Sequence, residues 1–183
     1  MSSLKEREEK NSDLPQPPSP ALSQRERESC TWQRGDYSIS TDHLRLDVEM
    51  IHDYLSNTSY WATGRGFEIV KRSIENSLPF GIYRGNDQVG FARIVTDYAT
   101  FAWVADVFVL PEHRGRSLSK WLMEVIIAHP CLQGLRRWVL STKDAHALYE
   151  RFGFMKLHRP ERWMERPDLN MQERPDYWQI DVK

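Results

Sequence analysis

At 183 residues, 40% of them hydrophobic, the chain is long enough to bury one substantial core and have a tail left over. Lys and Arg number 25 against 26 Asp and Glu, a formal net charge of -1, which removes any bulk attraction to nucleic acid or to an anionic membrane. The two cysteines, Cys30 and Cys131, have no metal-ligand spacing and no leader-like stretch precedes them, so a disulfide framework and a structural zinc are both disfavoured and a reducing, cytoplasmic setting is expected.

Residues 1–35 have the composition of a disordered arm. Lys5 to Lys10 is a charged run, Pro15, Pro17, Pro18 and Pro20 cluster, and apolar side chains are too sparse to offset the entropy of ordering. Tyr37–Thr41 reads as a short strand. Val48, Ile51, Tyr54 and Leu55 then recur at helical spacing behind a capping Asp47, and Phe67, Val70, Ile74 and Leu78 repeat the pattern until Pro79. Phe80–Tyr83, the turn Arg84–Asp87 and Val89–Thr96 read as a hairpin. A second turn near Asp97 leads into an apolar strand from Phe101 to Leu110, so three neighbouring antiparallel strands are predicted. That apolar run is broken by Asp106 and is about half a membrane span, which predicts a soluble protein. Beyond Pro111, Leu118, Leu122, Val125 and Ile126 share one helical face, and Leu135–Thr142 is β-like. Asp144–Phe152 is helical with Gly153 at its C-terminal cap, while Phe154–Leu157 and Trp163–Glu165 read as late strands. The sum is a mixed α/β domain over 36–167, followed by a polar tail over 168–183 in which Tyr177 and Trp178 are candidate docking anchors.

The most informative stretch starts at Val104. A strand ends, a compact Arg114-Gly115-Arg116-Ser117 turn follows, and a helix begins near Ser117. Such a turn offers unpaired backbone N–H groups and the positive end of a helix to an anion such as a diphosphate, with added charge from Arg114, Arg116 and Lys120. The plainer alternative is that Ser117 caps the helix and the arginines are solvated. A nucleoside-triphosphate loop would need G-x-x-x-x-G-K-[ST], and a dinucleotide fingerprint would need three glycines; this segment has one glycine and neither pattern.

Pro111, Glu112, Arg114 and Gly115 match the pattern P-E-x-R-G-x-G-x-G, and the segment resembles motif A of the GNAT superfamily of N-acetyltransferases. Downstream, D-A-H-A-L-Y-E-R-F-G-F from Asp144 to Phe154 resembles the same superfamily's A-x-x-L-Y-E-x-x-G-F block. Tyr60 to Arg65, Y-W-A-x-G-R, resembles a group of small bacterial-type members. The resemblance spans about 36–167 and implies a GNAT fold, a central mixed but mostly antiparallel sheet flanked by helices. It departs at Ser117 and Ser119, where the motif has glycines, and at Thr142, where many members carry an asparagine that contacts CoA.

The resemblance implies an acetyl-CoA-dependent N-acetyltransferase that moves an acetyl group to a primary amine of a small molecule or peptide by direct attack in a ternary complex. It assigns backbone contacts with the cofactor to Val107, Phe108 and Val109, and further cofactor contacts to Arg114, Gly115, Arg116, Ser117, Leu118, Ser119 and Thr142. It assigns the general acid to Tyr149 and makes Asp106 the carboxylate nearest the base position, although Asp106 would equally serve to satisfy backbone donors at a strand end. Trp61 and Arg65 would form an aromatic wall and a carboxylate-binding cation for the acceptor. No metal, nucleic acid or membrane partner is expected, and a homodimer is compatible with the reading. Two other functions compete. One is a GNAT-fold binding or regulatory module whose acyl-CoA affinity is weakened by Ser117 and Ser119; the other is an interaction protein that recruits partners through its Pro-rich arm. Replacing both serines by glycine is expected to tighten acetyl-CoA binding and to cost about 0.5 to 2 kcal/mol of stability with the lost cap.

Overall fold

The computed structural model describes residues 29–166. Most of the arm expected over 1–35 and nearly all of the expected tail, with Tyr177 and Trp178, lie outside the described residues. The end of that arm is structured: Thr31–Arg34 is a strand, β1, and the sheet begins there rather than after Gly35. A two-residue turn with Gly35 at φ +57° joins it to β2, Tyr37–Ser40, and the left-handed conformation is one that glycine adopts without penalty. Trp32 explains why so short a polar strand pairs at all, because its ring stacks on Phe80 at 6.3 Å and lies 5.7 Å from His129.

From β2 the chain enters α1, Val48–Asp53, capped by the Asp47 carboxylate on Met50 N–H. It continues as a wider π-helical turn over Tyr54–Thr58 before a loop and α2, Phe67–Glu75. Three long antiparallel strands follow: β3, Leu78–Arg84; β4, Asp87–Thr96; and β5, Phe101–Val109. The β4–β5 turn is set by Asp97, whose carboxylate accepts the Thr100 hydroxyl and the N–H groups of Ala99, Thr100 and Phe101. Those bonds, the Thr100 hydroxyl first among them, hold its carboxyl well below the usual range. Next come α3, Leu118–Ala128, a short parallel strand β6, Arg137–Val139, and α4, His146–Glu150, closed by Gly153 at φ +81°.

The strands lie in sequential order β1-β2-β3-β4-β5-β6, antiparallel except for the parallel β5–β6 pair. The alternation of β3, β4 and β5 feeds two cores. Phe80, Ile82, Ala92, Ile94, Ala102 and Val104 pack with Leu118, Leu122 and Ile126 of α3, whereas Phe91 and Phe108 pack with Ile51, Leu55, Val70 and Ile74 of α1 and α2. The two strands expected at Phe154–Leu157 and Trp163–Glu165 do not form; that stretch is irregular apart from a single turn at Pro160–Arg162. Beyond Phe154, which packs on the core, its residues are exposed. Met155 and Met164 are 81% and 97% exposed, and Trp163 instead lies under the Arg137 guanidinium.

One core position is strained in polarity. Tyr83 is 1% exposed under the Arg45 guanidinium, and its hydroxyl is buried with no hydrogen-bond partner. Burial pushes its phenol up to about 12, with Arg45 pulling the other way. The unfolded chain therefore ionises first. Stability is intact below pH 10 and falls between pH 10 and 12. Tyr83→Phe deletes the orphaned hydroxyl and is expected to raise stability by about 1 kcal/mol in denaturant titrations at pH 7, with a shallower decline above pH 10. A loss of stability would show that the hydroxyl has a partner.

Candidate active site

The centre of the site is an irregularity in β5. Pairing with β4 shifts register between Phe91 and Arg93, and the extra residue on β5, Asp106, sits at φ +52°, in the left-handed region. The shift reverses the strand's alternation. Ala102 and Val104 pack towards α3 before the bulge, and Val107 and Val109 do so after it. The backbone alternates in the same way. Thr100 turns its carbonyl to β6, where it accepts Arg137 N–H, but beyond the bulge Leu110 gives its N–H to Val89 on β4. By the two-residue period, the N–H groups of Val107 and Val109 then face away from β4. On that side β6 pairs only with Phe101, Ala102 and Trp103, so from Ala105 onward no described strand covers β5. The end of β6 pairing thus leaves a gap beside β5, whose flank carries backbone donors that no described strand takes up. Close approach of the strands here needs Gly90, where a Cβ would stand 2.8 Å from the Phe108 carbonyl oxygen.

Phe108 does not join this lining. Its residue pairs with Phe91 on β4 and its ring stacks on Tyr54 at 3.9 Å, so it is a core residue on the opposite face. Of the three β5 positions expected to hold a cofactor, Val107 and Val109 remain.

The gap runs into the loop before α3. Gly115 takes φ +74°, with open space around its Cβ position, and Ser117 takes φ +59°, the conformation a glycine would adopt there. Ser117 makes no side-chain cap, contrary to its reading as a helix cap. Trp121 N–H bonds back to the Ser117 carbonyl, which leaves the N–H groups of Leu118, Ser119 and Lys120 at the open helix start. Leu118 contributes its backbone alone, since its side chain is buried in the core beneath. Arg116 and Lys120 are exposed. Arg114 is committed elsewhere: its Nε donates to the Val109 carbonyl at 3.0 Å and its terminal nitrogen to the Tyr54 hydroxyl at 2.8 Å. It braces the end of β5 against α1.

Tyr149 stands on α4, 8% exposed, with its ring edge-on to Phe154 at 5.9 Å. Burial, with smaller contributions from Tyr60 and Asp144, pushes its phenol up to about 12. Tyr60 links the loop between α1 and α2 to this corner, donating to Asp144 and accepting from Lys143 N–H, each at 3.1 Å. Thr142 is occupied by its own turn, its hydroxyl accepting Ala145 N–H at 3.0 Å ahead of α4.

On the α1–α2 face, Asp106 meets two arginines. Arg65 Nη1 lies 3.1 Å from both carboxylate oxygens and Arg93 Nε lies 2.5 Å from Oδ2. The Asp106 side chain is 3% exposed, those of Arg65 and Arg93 12% and 14%. Arg65 does bind a carboxylate, and it is the protein's own. Its loop is anchored as well: the Arg65 carbonyl accepts from the Ser56 hydroxyl and faces His52 Nε2 at 3.1 Å. Trp61 packs against the α1–α2 core with its indole N–H buried and unpartnered. Glu49 and Asp53, the carboxylates on α1, are exposed. Arg93 and Tyr54 are the site residues that sequence reading missed. The signal for Arg93 was available, a lone cation inside the apolar run Val89–Val95.

Taken together, an anion-receptive helix start follows directly on a strand flank that no described strand covers, with a buried phenol on α4, a layout suited to acyl transfer. Residues 48–154 match the family model described as the Acetyltransferase (GNAT) family. The chain belongs to that family and is a GNAT acetyltransferase. It is 32% identical to the Gibberella zeae protein named Putative acetyltransferase FG08082, with 79% of this chain and 93% of that one covered. A crystal structure of a protein of the GNAT family from Xanthomonas campestris pv. campestris is 51% identical, superposes with a TM-score of 0.71, and covers 72% of this chain and 93% of its own. Glucosamine-6-phosphate N-acetyltransferase from Arabidopsis thaliana, at 14% identity and a TM-score of 0.50 over 72% of this chain and 97% of that one, shares the fold alone.

The conformation of Ser117 reverses one expectation. A non-glycine residue in the left-handed region is held at a cost of about 1 to 2 kcal/mol, partly offset in a glycine variant by the freer unfolded chain. Ser117→Gly is therefore expected to leave stability unchanged or to raise it by up to about 1 kcal/mol, measured by urea unfolding. A loss of more than about 1 kcal/mol would restore Ser117 as a helix cap.

Proposed function

We propose that the protein transfers the acetyl group of acetyl-CoA to a primary amine of a small molecule or peptide. The observation that carries this reading is the unpaired flank of β5 opening directly onto the start of α3. The residues present fit the donor. Val107 and Val109 can pair with an amide-bearing chain laid along β5 as a further strand would be, and the N–H groups after Ser117, with Arg116 and Lys120, suit a diphosphate. Serine in place of the motif glycine does not close the loop, because Ser117 already takes the conformation glycine would take and is exposed. That observation favours a working acyltransferase over a degenerate binding module.

Acetyl-CoA supplies a thioester carbonyl open to attack by nitrogen. The amine nitrogen forms the new C–N bond and the C–S bond breaks, so one proton must leave the amine and one must reach the sulfur. Val107 N–H is the donor available to charge developing on the carbonyl oxygen. Asp106 Oδ2 already accepts two N–H bonds and Oδ1 one, which leaves Oδ1 with capacity for the amine's proton, directly or through water. Tyr149 gives its phenolic proton to the sulfur. With the phenol raised to about 12, it stays protonated throughout the neutral range. A reducing, cytoplasmic setting suits a reaction that releases a free thiol.

Calorimetric titration with acetyl-CoA tests the cofactor half of this reading. The variant Arg116→Ala with Lys120→Ala is expected to weaken binding at least tenfold, about 1.4 kcal/mol, whereas unchanged affinity would move the diphosphate elsewhere. Tyr149→Phe is expected to keep that affinity and to lower turnover by about 10². Since the phenol titrates far above neutrality, wild-type turnover should show no alkaline loss up to about pH 10 that is missing in the phenylalanine variant. Turnover within twofold of wild type under chemistry-limited conditions would return Tyr149 to a packing role.

A further inference from the structure

Two guanidinium groups share one carboxylate beneath the bulge. Arg65 and Arg93 carry two positive charges against the single charge of Asp106, and among the described residues no second carboxylate lies within ion-pair distance of either arginine. The side chains are at most 14% exposed, so water screens the surplus charge poorly. Each arginine also has donors to spare: Arg65 uses one terminal nitrogen and Arg93 only its Nε on Asp106, of the five N–H bonds a guanidinium can make. Unpaired donors and an uncompensated, poorly hydrated positive charge on the α1–α2 face of the bulge form a place for an anion.

From this surplus we infer that the amine accepted by the enzyme carries a carboxylate, bound by Arg65 and Arg93 beside the amino group that reacts. The inference rests on the acetyl-transfer reading and narrows its substrate class. A simple alkylamine enters as a cation and meets a site already one charge positive. An amino acid brings its own anion, which pairs with the guanidinium groups, while its ammonium is drawn to Asp106 Oδ1. The same arrangement discriminates by chemistry as well as by charge, because a planar carboxylate accepts two parallel N–H bonds from a guanidinium and a carboxamide cannot.

The test uses the full chain with acetyl-CoA and matched acceptors: the common amino acids, their C-terminal amides and their decarboxylated amines, with free thiol and acetylated product both measured. Expected is turnover with one or more amino acids at a kcat/KM at least tenfold above the matching amide and amine. Arg65→Gln, which keeps the length and polarity of the side chain, should reduce that preference to within about threefold by raising KM for the carboxylate form. The wild-type comparison decides the matter even if the variant does not fold. Amides or amines used as well as the acids would overturn the inference and leave acetyl transfer standing. Tight acetyl-CoA binding with no acid acetylated would overturn it too. Absence of acetyl-CoA binding would overturn the proposed function and this inference together.

Discussion

A carboxylate sealed almost completely from water must find cations, because an unpaired buried charge costs several kcal/mol. Asp106 finds two, and each comes from a different part of the chain: Arg93 from the neighbouring strand and Arg65 from the loop ahead of α2. The ion cluster therefore ties β4, β5 and the α1–α2 loop at one point. That point is also where the backbone turns left-handed and the strand's alternation reverses. Non-glycine residues in that region are held there only where the surroundings over-determine them. Here the two guanidinium groups do so. Beyond the bulge Phe108 and Leu110 stay on the β4 ladder, so Val107 and Val109 direct their N–H groups to the flank that β6 leaves uncovered after Trp103.

The charges around the gap are divided by task. Arg114 looks from the sequence like the first cation of an anion loop, yet its donors are used on Val109 and Tyr54. It holds the end of β5 in place, and through the stacking of Tyr54 on Phe108 it fixes α1 to the same strand. Arg116 and Lys120, one residue beyond Gly115 and one turn into α3, are left to act on a ligand. An arginine whose donors are taken up by the protein brings geometry, whereas one with free donors brings charge that salt can screen. The loop needs both.

Hydrophobic period and turn chemistry made the middle of the fold legible: the antiparallel β3–β4–β5 set, the helices behind Asp47 and Ser117, and the cap at Gly153. Misses came where tertiary contact overrode local pattern. Thr31–Arg34 has few apolar residues and is secured by contacts remote in sequence, Trp32 on Phe80 and His129 and Arg34 on Glu124 and Trp121. Phe154–Leu157 and Trp163–Glu165 have strand-like composition but no ladder to join among the described residues, and composition does not report a missing partner. In the candidate site, the loop before α3 and Tyr149 were proposed from the sequence because their motifs are local. The Arg65–Asp106–Arg93 cluster could not, since its members are separated by up to 41 residues and meet only through the bulge. A lone arginine in an apolar strand was the visible trace of it.

Tyr149 shows why packing and chemistry are not competing explanations of one side chain. It belongs to the α3-side core, and that burial is what raises its phenol to about 12. Taken alone, so weak an acid is a poor match for a thiolate, whose conjugate acid in water titrates near ~8.5. In the proposed transfer, however, the sulfur that would receive its proton enters the same buried region, where burial raises a thiol for the same reason. Proton transfer depends on the difference between the two groups rather than on either value, and a shared environment moves both in one direction. Tyr60 adds a further constraint by tying the acceptor-side loop to Lys143 and Asp144 next to α4, so that the donor phenol and the Arg65 loop are positioned by one set of contacts. The burial that makes Tyr149 look like a core aromatic is thus the condition under which its hydroxyl would serve the proposed transfer.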